Sequence, residues 1–202
     1  LRFQIYDVTQ FEYPDDLHDC DGYLITGSRH SVYEPIEWIT RLGEFVVELN
    51  AAKKKLVGIC FGHQLVAHVL GGRTAKSSKG WGVGRHETTL SDPSRPQWSS
   101  EFGLLSSHQD QVQSLPEQAR VIAQSDFCPI AGMAIGDHIV TLQGHPEFTK
   151  AYARDLLGVR RELLGETLYQ QGVNSLDEEV HQDRVALIIT DFLAEAAADT
   201  AA

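Results

Sequence analysis

Short apolar runs alternate with longer amphipathic stretches through the first third of the chain. Phe3–Val8, Gly22–Thr26 and Leu56–Cys60 read as strands, being compact runs rich in apolar residues. Elsewhere the apolar spacing changes to three and four. Trp38, Leu42, Phe45, Val46 and Leu49 share one helical face. Leu65, Val66, Val69 and Leu70 repeat that pattern after the third run, and Gly71-Gly72 is a suitable helix stop. Strand–helix alternation predicts a parallel sheet with helices on its faces.

Past Gly80 the pattern becomes strand-rich. Val83–Leu90, Gly103–Ser107, Arg120–Gln124, Ile130–Ile135 and His138–Leu142 are candidates, predicting an insertion or a sheet edge within the same domain. Ser91–Pro96 is a loop by composition. Helical stripes return at Tyr152, Leu156, Val159 and Leu163, then at Val180, Leu187, Ile188 and Phe192. The tail Ala194–Ala202 is expected to fray. With no internal repeat and no interdomain linker, residues 1–202 read as one α/β domain: a mostly parallel sheet flanked by helices, with added antiparallel strands.

Composition narrows the function classes. The chain has 202 residues, is 42% hydrophobic and carries a formal net charge of −11. It can bury a substantial core, and its acidity argues against a nucleic-acid partner. Cys20, Cys60 and Cys128 are odd in number and form no Cys-x-x-Cys pair. That argues against a disulfide framework or a metal site and for a reducing, cytoplasmic location. No apolar run is long enough to span a membrane.

The chemistry concentrates in Gly58-Ile59-Cys60-Phe61-Gly62-His63-Gln64. A strand that turns sharply into a helix at a nucleophile needs small neighbours, and Gly58 and Gly62 flank Cys60 at two residues on either side. At a helix N-terminus the macrodipole favours thiolate, and the N–H of Phe61 is placed to hold an oxyanion. Far downstream, His145 and Glu147 lie two apart in an extended, Pro-fixed segment and so point to one side. Glu147 can then orient His145 as the base for Cys60.

These residues, with Ile25-Thr26-Gly27-Ser28, Trp81-Gly82-Val83-Gly84 and Ser106-Ser107-His108-Gln109-Asp110-Gln111-Val112, resemble the class I, triad-type glutamine amidotransferase family. Within it the chain is similar to stand-alone proteins like the amidotransferase domain of GMP synthase. The resemblance implies a flavodoxin-like fold with no cofactor. It implies Cys60, His145 and Glu147 as catalytic residues and the N–H groups of Gly27 and Phe61 as the oxyanion hole. Gln64, Ser107, Gln109 and Asp110 match positions that contact substrate. The implied activity is hydrolysis of the glutamine side-chain amide through a cysteine thioester, with ammonia passed to a separate synthetase subunit. A γ-glutamyl peptidase acting without such a partner is the alternative, and a catalytically silent binding module is the second.

Departures from the family pattern stand at Gly27-Ser28-Arg29, where Gly-Gly-Pro is frequent, and at Gln109, where glycine is common. Phe3–Val8 matches the family's second strand and the first is missing. With Leu1 in place of an initiator methionine, this points to a truncation or a disordered lead. Other features read blandly. His63 and His68 are five apart, not the i, i+4 pair of a zinc helix, and His108 suits a structural hydrogen bond. Gly80–Gly84 is not followed by the helix a dinucleotide loop needs, and Trp81 suits packing at the cleft edge. His30 sits where the cleft would be bordered, and Arg160-Arg161-Glu162 reads as a solvated helix face.

Overall fold

Leu56 and Val57 point to opposite sides of one strand, and a helical layer covers each. The computed structural model describes residues 2–199, with side chains described through Glu195. The chain runs through β1 (Gly22–Ile25), α1 (Glu37–Ala51), β2 (Lys55–Ile59), α2 (Phe61–Val69), β3 (Arg73–Lys76), β4 (Gly82–Leu90) and β5 (Ser100–His108). It continues through β6 (Asp110–Ser114), β7 (Ala119–Gln124), β8 (Gly132–Ile135) and β9 (Ile139–Leu142), then α3 (Lys150–Val159), α4 (Arg161–Leu164), α5 (Glu166–Ser175) and α6 (Gln182–Asp199). Seven strands form one sheet in the order β1-β2-β9-β8-β7-β4-β5. β1, β2 and β9 run parallel, and the remaining pairings are antiparallel. The strand-rich middle is therefore largely a sheet edge, with β3 and β6 set apart as a two-stranded pair.

The period-two alternation of the central strands divides the core. Leu56, Ile139, Met133 and Ile135 pack with Leu42, Val46, Leu49 and Leu65 of α1 and α2. Val57, Ile59, Val140 and Leu142 pack on the other face with Val185, Ile189 and Phe192 of α6. A third cluster joins Val83 and Leu105 to Ala153, Leu157 and Leu176, seating α3 and the end of α5 against β4 and β5. Gly84 permits that approach: a Cβ there would lie 2.8 Å from the Gly172 carbonyl oxygen. The glycines near Trp81 thus serve packing.

Several expectations are corrected. Phe3–Val8 is not a strand: Ile5 is 91% exposed, and among the described residues no strand pairs with the free side of β1. The Asp7 carboxylate accepts the Thr9 N–H at 3.0 Å and starts a 3-10 turn over Val8–Gln10, a local bond that competes with extended pairing. β3 and β6 escape the hydrophobic pattern because each is short and polar, with Thr74 and Val112 among their few buried side chains. On the last helix the stripe holds in part: Phe192 is fully buried and Ile188 packs against the core. Val180 precedes α6 and Leu187 is exposed, whereas Val185, Ile189 and Phe192 make the buried i, i+4, i+7 face. Helical backbone also extends to Asp199, so only residues 200–202 of the expected frayed tail lie outside the described residues. Among the described residues, no helix is long and apolar enough to cross a membrane.

α2 leaves β2 with almost no clearance. A Cβ on Gly58 would lie 2.7 Å from backbone atoms of Gly62, and one on Gly62 would lie 2.5 Å from the Ile25 carbonyl oxygen. These contacts are with backbone, which cannot rotate away. Gly62→Ala is expected to cost about 1–3 kcal/mol through overpacking, lowering Tm by about 2–4 °C per kcal/mol. Gly158→Ala, where nothing lies within 4 Å of the added Cβ inside α3, is expected to be neutral or stabilising by up to about 1 kcal/mol. Thermal unfolding of the two variants checks both signs.

Candidate active site

Cys60 sits between β2 and α2 with φ 51° and ψ −97°. A positive φ on a residue with a Cβ costs on the order of 1–3 kcal/mol and needs surrounding structure to hold it. Here the Cys60 N–H donates to the Leu142 carbonyl at 2.8 Å, and its own carbonyl accepts from the Gln64 N–H at 3.0 Å. The strand anchors one side of the turn and the helix the other. The thiol ends at the base of an open cleft, with the residue 6% exposed. Phe61 opens α2, so its N–H belongs to the first turn, whose donors have no partner within the helix.

His145 follows β9 and is fixed by backbone: its N–H donates to the Leu105 carbonyl at 2.8 Å. Its Nδ1 pairs with Glu147 Oε1 at 2.6 Å, which leaves Nε2 for another partner. His145 is 4% exposed and its imidazole stacks on Phe148, with centroids 3.8 Å apart and planes at 11°. Gly27, just past β1, fills the space between the groups. A Cβ on it would lie 2.9 Å from His145 Cε1 and 3.7 Å from Cys60 Cβ. Thiol and imidazole therefore share one small volume, and Gly27 has to remain a glycine to leave it open.

Burial opposes a charge on His145, but hydrogen bonding to Cys60 and to Glu147 outweighs it and carries the pKa up to about 9. The sign follows: the imidazolium persists through neutral pH and is lost as pH rises through about 9. The other buried histidines behave oppositely. Burial pushes His63 down to about 4, with Nε2 against the Ile130 carbonyl and Nδ1 against the Thr141 hydroxyl. Burial likewise pushes His108 down to about 3, its Nδ1 facing the Asp110 carbonyl at 3.0 Å. Among these, His145 has the carboxylate partner. His30 pairs with Glu34 at 2.9 Å in the loop after β1.

The cleft has a volume of about 670 Å³. Thr26, Gly27, Ser28 and Arg29 form one wall, with Cys60, His145 and Glu147 at the base and Ser107 beside them. Phe148, Tyr152, Leu156, Val159 and Arg160 form the opposite wall. Tyr152, Leu156 and Val159 belong to the expected helical stripe, which faces the cleft rather than the core, and Val159 is 85% exposed. Ala153 and Leu157, one position further on, take the buried face of α3. Arg160 is likewise no mere solvated helix position: it lines the cleft, while Arg161 pairs with Glu166 at 2.7 Å on the surface. Phe148, Arg29 and Arg160 were not singled out as site residues from sequence. For Arg160 the signal was its spacing, four after Leu156 and eight after Tyr152, which continues the stripe.

Of the four residues expected at substrate, Ser107 reaches the cleft. Gln64 is buried, and its amide nitrogen donates to the Asp110 carbonyl at 2.8 Å and to Gln143 Oε1 at 3.0 Å. Asp110 accepts from the Ser31 hydroxyl at 2.5 Å and the Tyr33 hydroxyl at 3.1 Å. It thereby ties the loop that carries Gly27 to the start of β6. Gln109 joins β5 to β6, and its carbonyl accepts the Ser77 N–H at 2.9 Å. These three are not among the residues lining the cleft.

The family description "Glutamine amidotransferase class-I" matches residues 2–156. Gamma-glutamyl peptidase 3 of Arabidopsis thaliana is 31% identical over 195 residues, covering 91% of this chain and 78% of that protein. A glutamine-hydrolyzing GMP synthase of Thermomicrobium roseum is 31% identical over 179 residues, 84% of this chain but 33% of the synthase. In fold, the chain is similar to the crystal structure of a glutamine amido transferase from Methylobacillus flagellatus, with TM-score 0.76, 21% identity and coverage of 96% of this chain and 82% of that one. The family match spans residues 2–156 and the peptidase likeness 91% of the chain, and on that evidence the chain belongs to the class I glutamine amidotransferase family.

Proposed function

We propose that this protein hydrolyses γ-glutamyl amides whose leaving group is larger than ammonia, through a thioester on Cys60. The observation that carries this reading is the shape of the cleft. About 670 Å³ of space opens over Cys60, and its α3 wall is apolar over Tyr152, Leu156 and Val159. Ammonia leaving from glutamine needs no such wall, whereas an amine bearing an apolar side chain is stabilised by it. The likeness to a protein named gamma-glutamyl peptidase over 91% of the chain supports the same choice.

In this reading the Cys60 sulfur attacks the δ-carbonyl carbon of the γ-glutamyl group. The oxygen charge that develops is held by the N–H groups of Gly27 and Phe61. His145, charged at neutral pH, gives its proton to the departing amine as the C–N bond breaks. Water then enters, His145 takes a proton from it, and its oxygen displaces the sulfur to release glutamate. Glu147 holds the imidazole orientation throughout. Three unpaired cysteines support a reducing, cytoplasmic setting for this chemistry.

Glutamine hydrolysis with ammonia delivered to a separate synthetase subunit is the second reading. It is favoured by the match to GMP synthase, which covers 84% of this chain and 33% of that protein. A silent binding module is disfavoured by the geometry shared by Cys60, His145 and Glu147.

Kinetics on glutamine, γ-glutamyl-leucine and γ-glutamyl-phenylalanine separate the readings. Higher kcat/KM on the dipeptides is expected, and preference for glutamine would move the assignment to the second reading. A diazoketone analogue of glutamine should leave a mass adduct on Cys60 and none on Cys20 or Cys128. Inertness towards every substrate and towards the trap would refute both enzymatic readings.

The rate should fall on the alkaline side as His145 loses its proton near pH 9. Glu147→Gln removes one interaction that raises that pKa, so its alkaline limb should move to lower pH. An unmoved limb would deny Glu147 this role.

A further inference from the structure

The arginines withdrawn from solvent share a habit that Arg160 breaks. Arg41 meets Glu48 at 3.1 Å, Arg85 meets Glu178 at 3.1 Å, and Arg95 and Arg120 meet Glu195 and Asp92, each at 2.9 Å. Arg160 is half-buried too, yet among the described residues no carboxylate lies within 4.0 Å of it. In a chain with 28 acidic residues against 17 lysines and arginines, that isolation matters. A guanidinium partly removed from water and left without an anion forgoes the pairing that offsets its desolvation.

Arg160 is nonetheless held in place. One terminal nitrogen donates to the Ser107 carbonyl at 3.3 Å and to the Ser107 hydroxyl. The guanidinium carbon lies 5.1 Å from the centre of the Trp81 ring. Those contacts engage a single nitrogen of a fork that carries five N–H donors, so a planar acceptor can still be bound by two parallel bonds. The fork opens into the cleft that holds Cys60, where Glu147 is the one acidic lining residue among the described residues and is paired with His145.

Its position says which anion it suits. The leaving amine departs beside His145. Phe148 stacks on His145, and Tyr152 meets Phe148 edge-on at 4.6 Å. Leu156 and Val159 extend that wall along α3, and Arg160 closes it. An apolar surface that begins at the proton donor and ends at a fixed cation matches an amine with an apolar body and a carboxylate at its far end.

Resting on the γ-glutamyl hydrolase reading above, we infer that Arg160 is a specificity-determining residue that binds a carboxylate on the leaving group, selecting γ-glutamyl peptides with a free C-terminus over amides without one.

The test compares γ-glutamyl-leucine with γ-glutamyl-leucinamide, which differ only in that carboxylate. In the unaltered protein the acid should have a KM lower by about tenfold or more, the range of a charge-assisted hydrogen bond. Arg160→Gln should collapse the ratio of kcat/KM between the two towards one, and Arg160→Lys should restore part of it. Taking the ratio within each variant cancels a general loss from misfolding. A ratio near one in the unaltered protein, or a ratio that Arg160→Gln leaves in place, overturns the inference. Equal losses on both substrates would mean that Arg160 serves the glutamyl half or the fold, and would overturn it as well. Calorimetric binding of the same pair to Cys60→Ala protein reads the preference without turnover. Absence of hydrolysis in the unaltered protein therefore counts against the hydrolase reading, while the binding difference still decides the role of Arg160.

Discussion

The left-handed backbone at Cys60 survives only where two chain segments pass closer than a methyl group would allow. Gly58 abuts the start of α2, and Gly62 abuts the Ile25 carbonyl, each leaving less than 3 Å for a Cβ. That pair of absences lets a buried parallel strand end in a helix within one residue. The remaining geometry is referred to this turn. β1 brings Gly27 beside it, β9 bonds its amide and then delivers His145, and β5 fixes the His145 backbone from the far side. A thiol on a looser connection would have no defined relation to an imidazole eighty-five positions later in the chain.

The parts of the molecule that were legible in the sequence are those where one local requirement dominates. Gly58-x-Cys60-x-Gly62 is such a case, because only a strand-to-helix turn demands small residues at that spacing. β2 and α1 are others, since their apolar residues face fully formed layers. Where several weak requirements compete, the pattern misleads. Phe3–Val8 has strand composition, but the Asp7 cap on Thr9 and the lack of a partner strand among the described residues decide otherwise. On α3 the buried and cleft-facing positions are adjacent in sequence, so Tyr152, Leu156 and Val159 imitate a core stripe. Asp110 could not be placed without coordinates, because Ser31 and Tyr33, which it binds, lie 79 and 77 positions away.

Charge distinguishes the cleft from the rest of the surface. The chain carries a formal net charge of −11, yet two arginines and one glutamate line the cleft. A local excess of positive charge in an acidic protein draws anionic small molecules towards this opening. In the proposed reading, hydrophobic contact on α3 and a cation at its end add selectivity to the chemistry assigned to the base of the cleft. Class I family membership fixes the scaffold, and the walls built on it are the features through which individual members can differ.

The direct test of the account is the titration of His145 itself. Nitrogen-15 resonances of its imidazole, followed by NMR across the alkaline range, report whether the ring feels the sulfur. The account predicts a midpoint near 9 that falls when Cys60 is replaced by alanine, because one of the interactions raising it is removed while burial continues to depress it. A midpoint at the ordinary histidine value, unchanged by loss of the thiol, would show that the two groups do not interact and would contradict the proposed chemistry at its base.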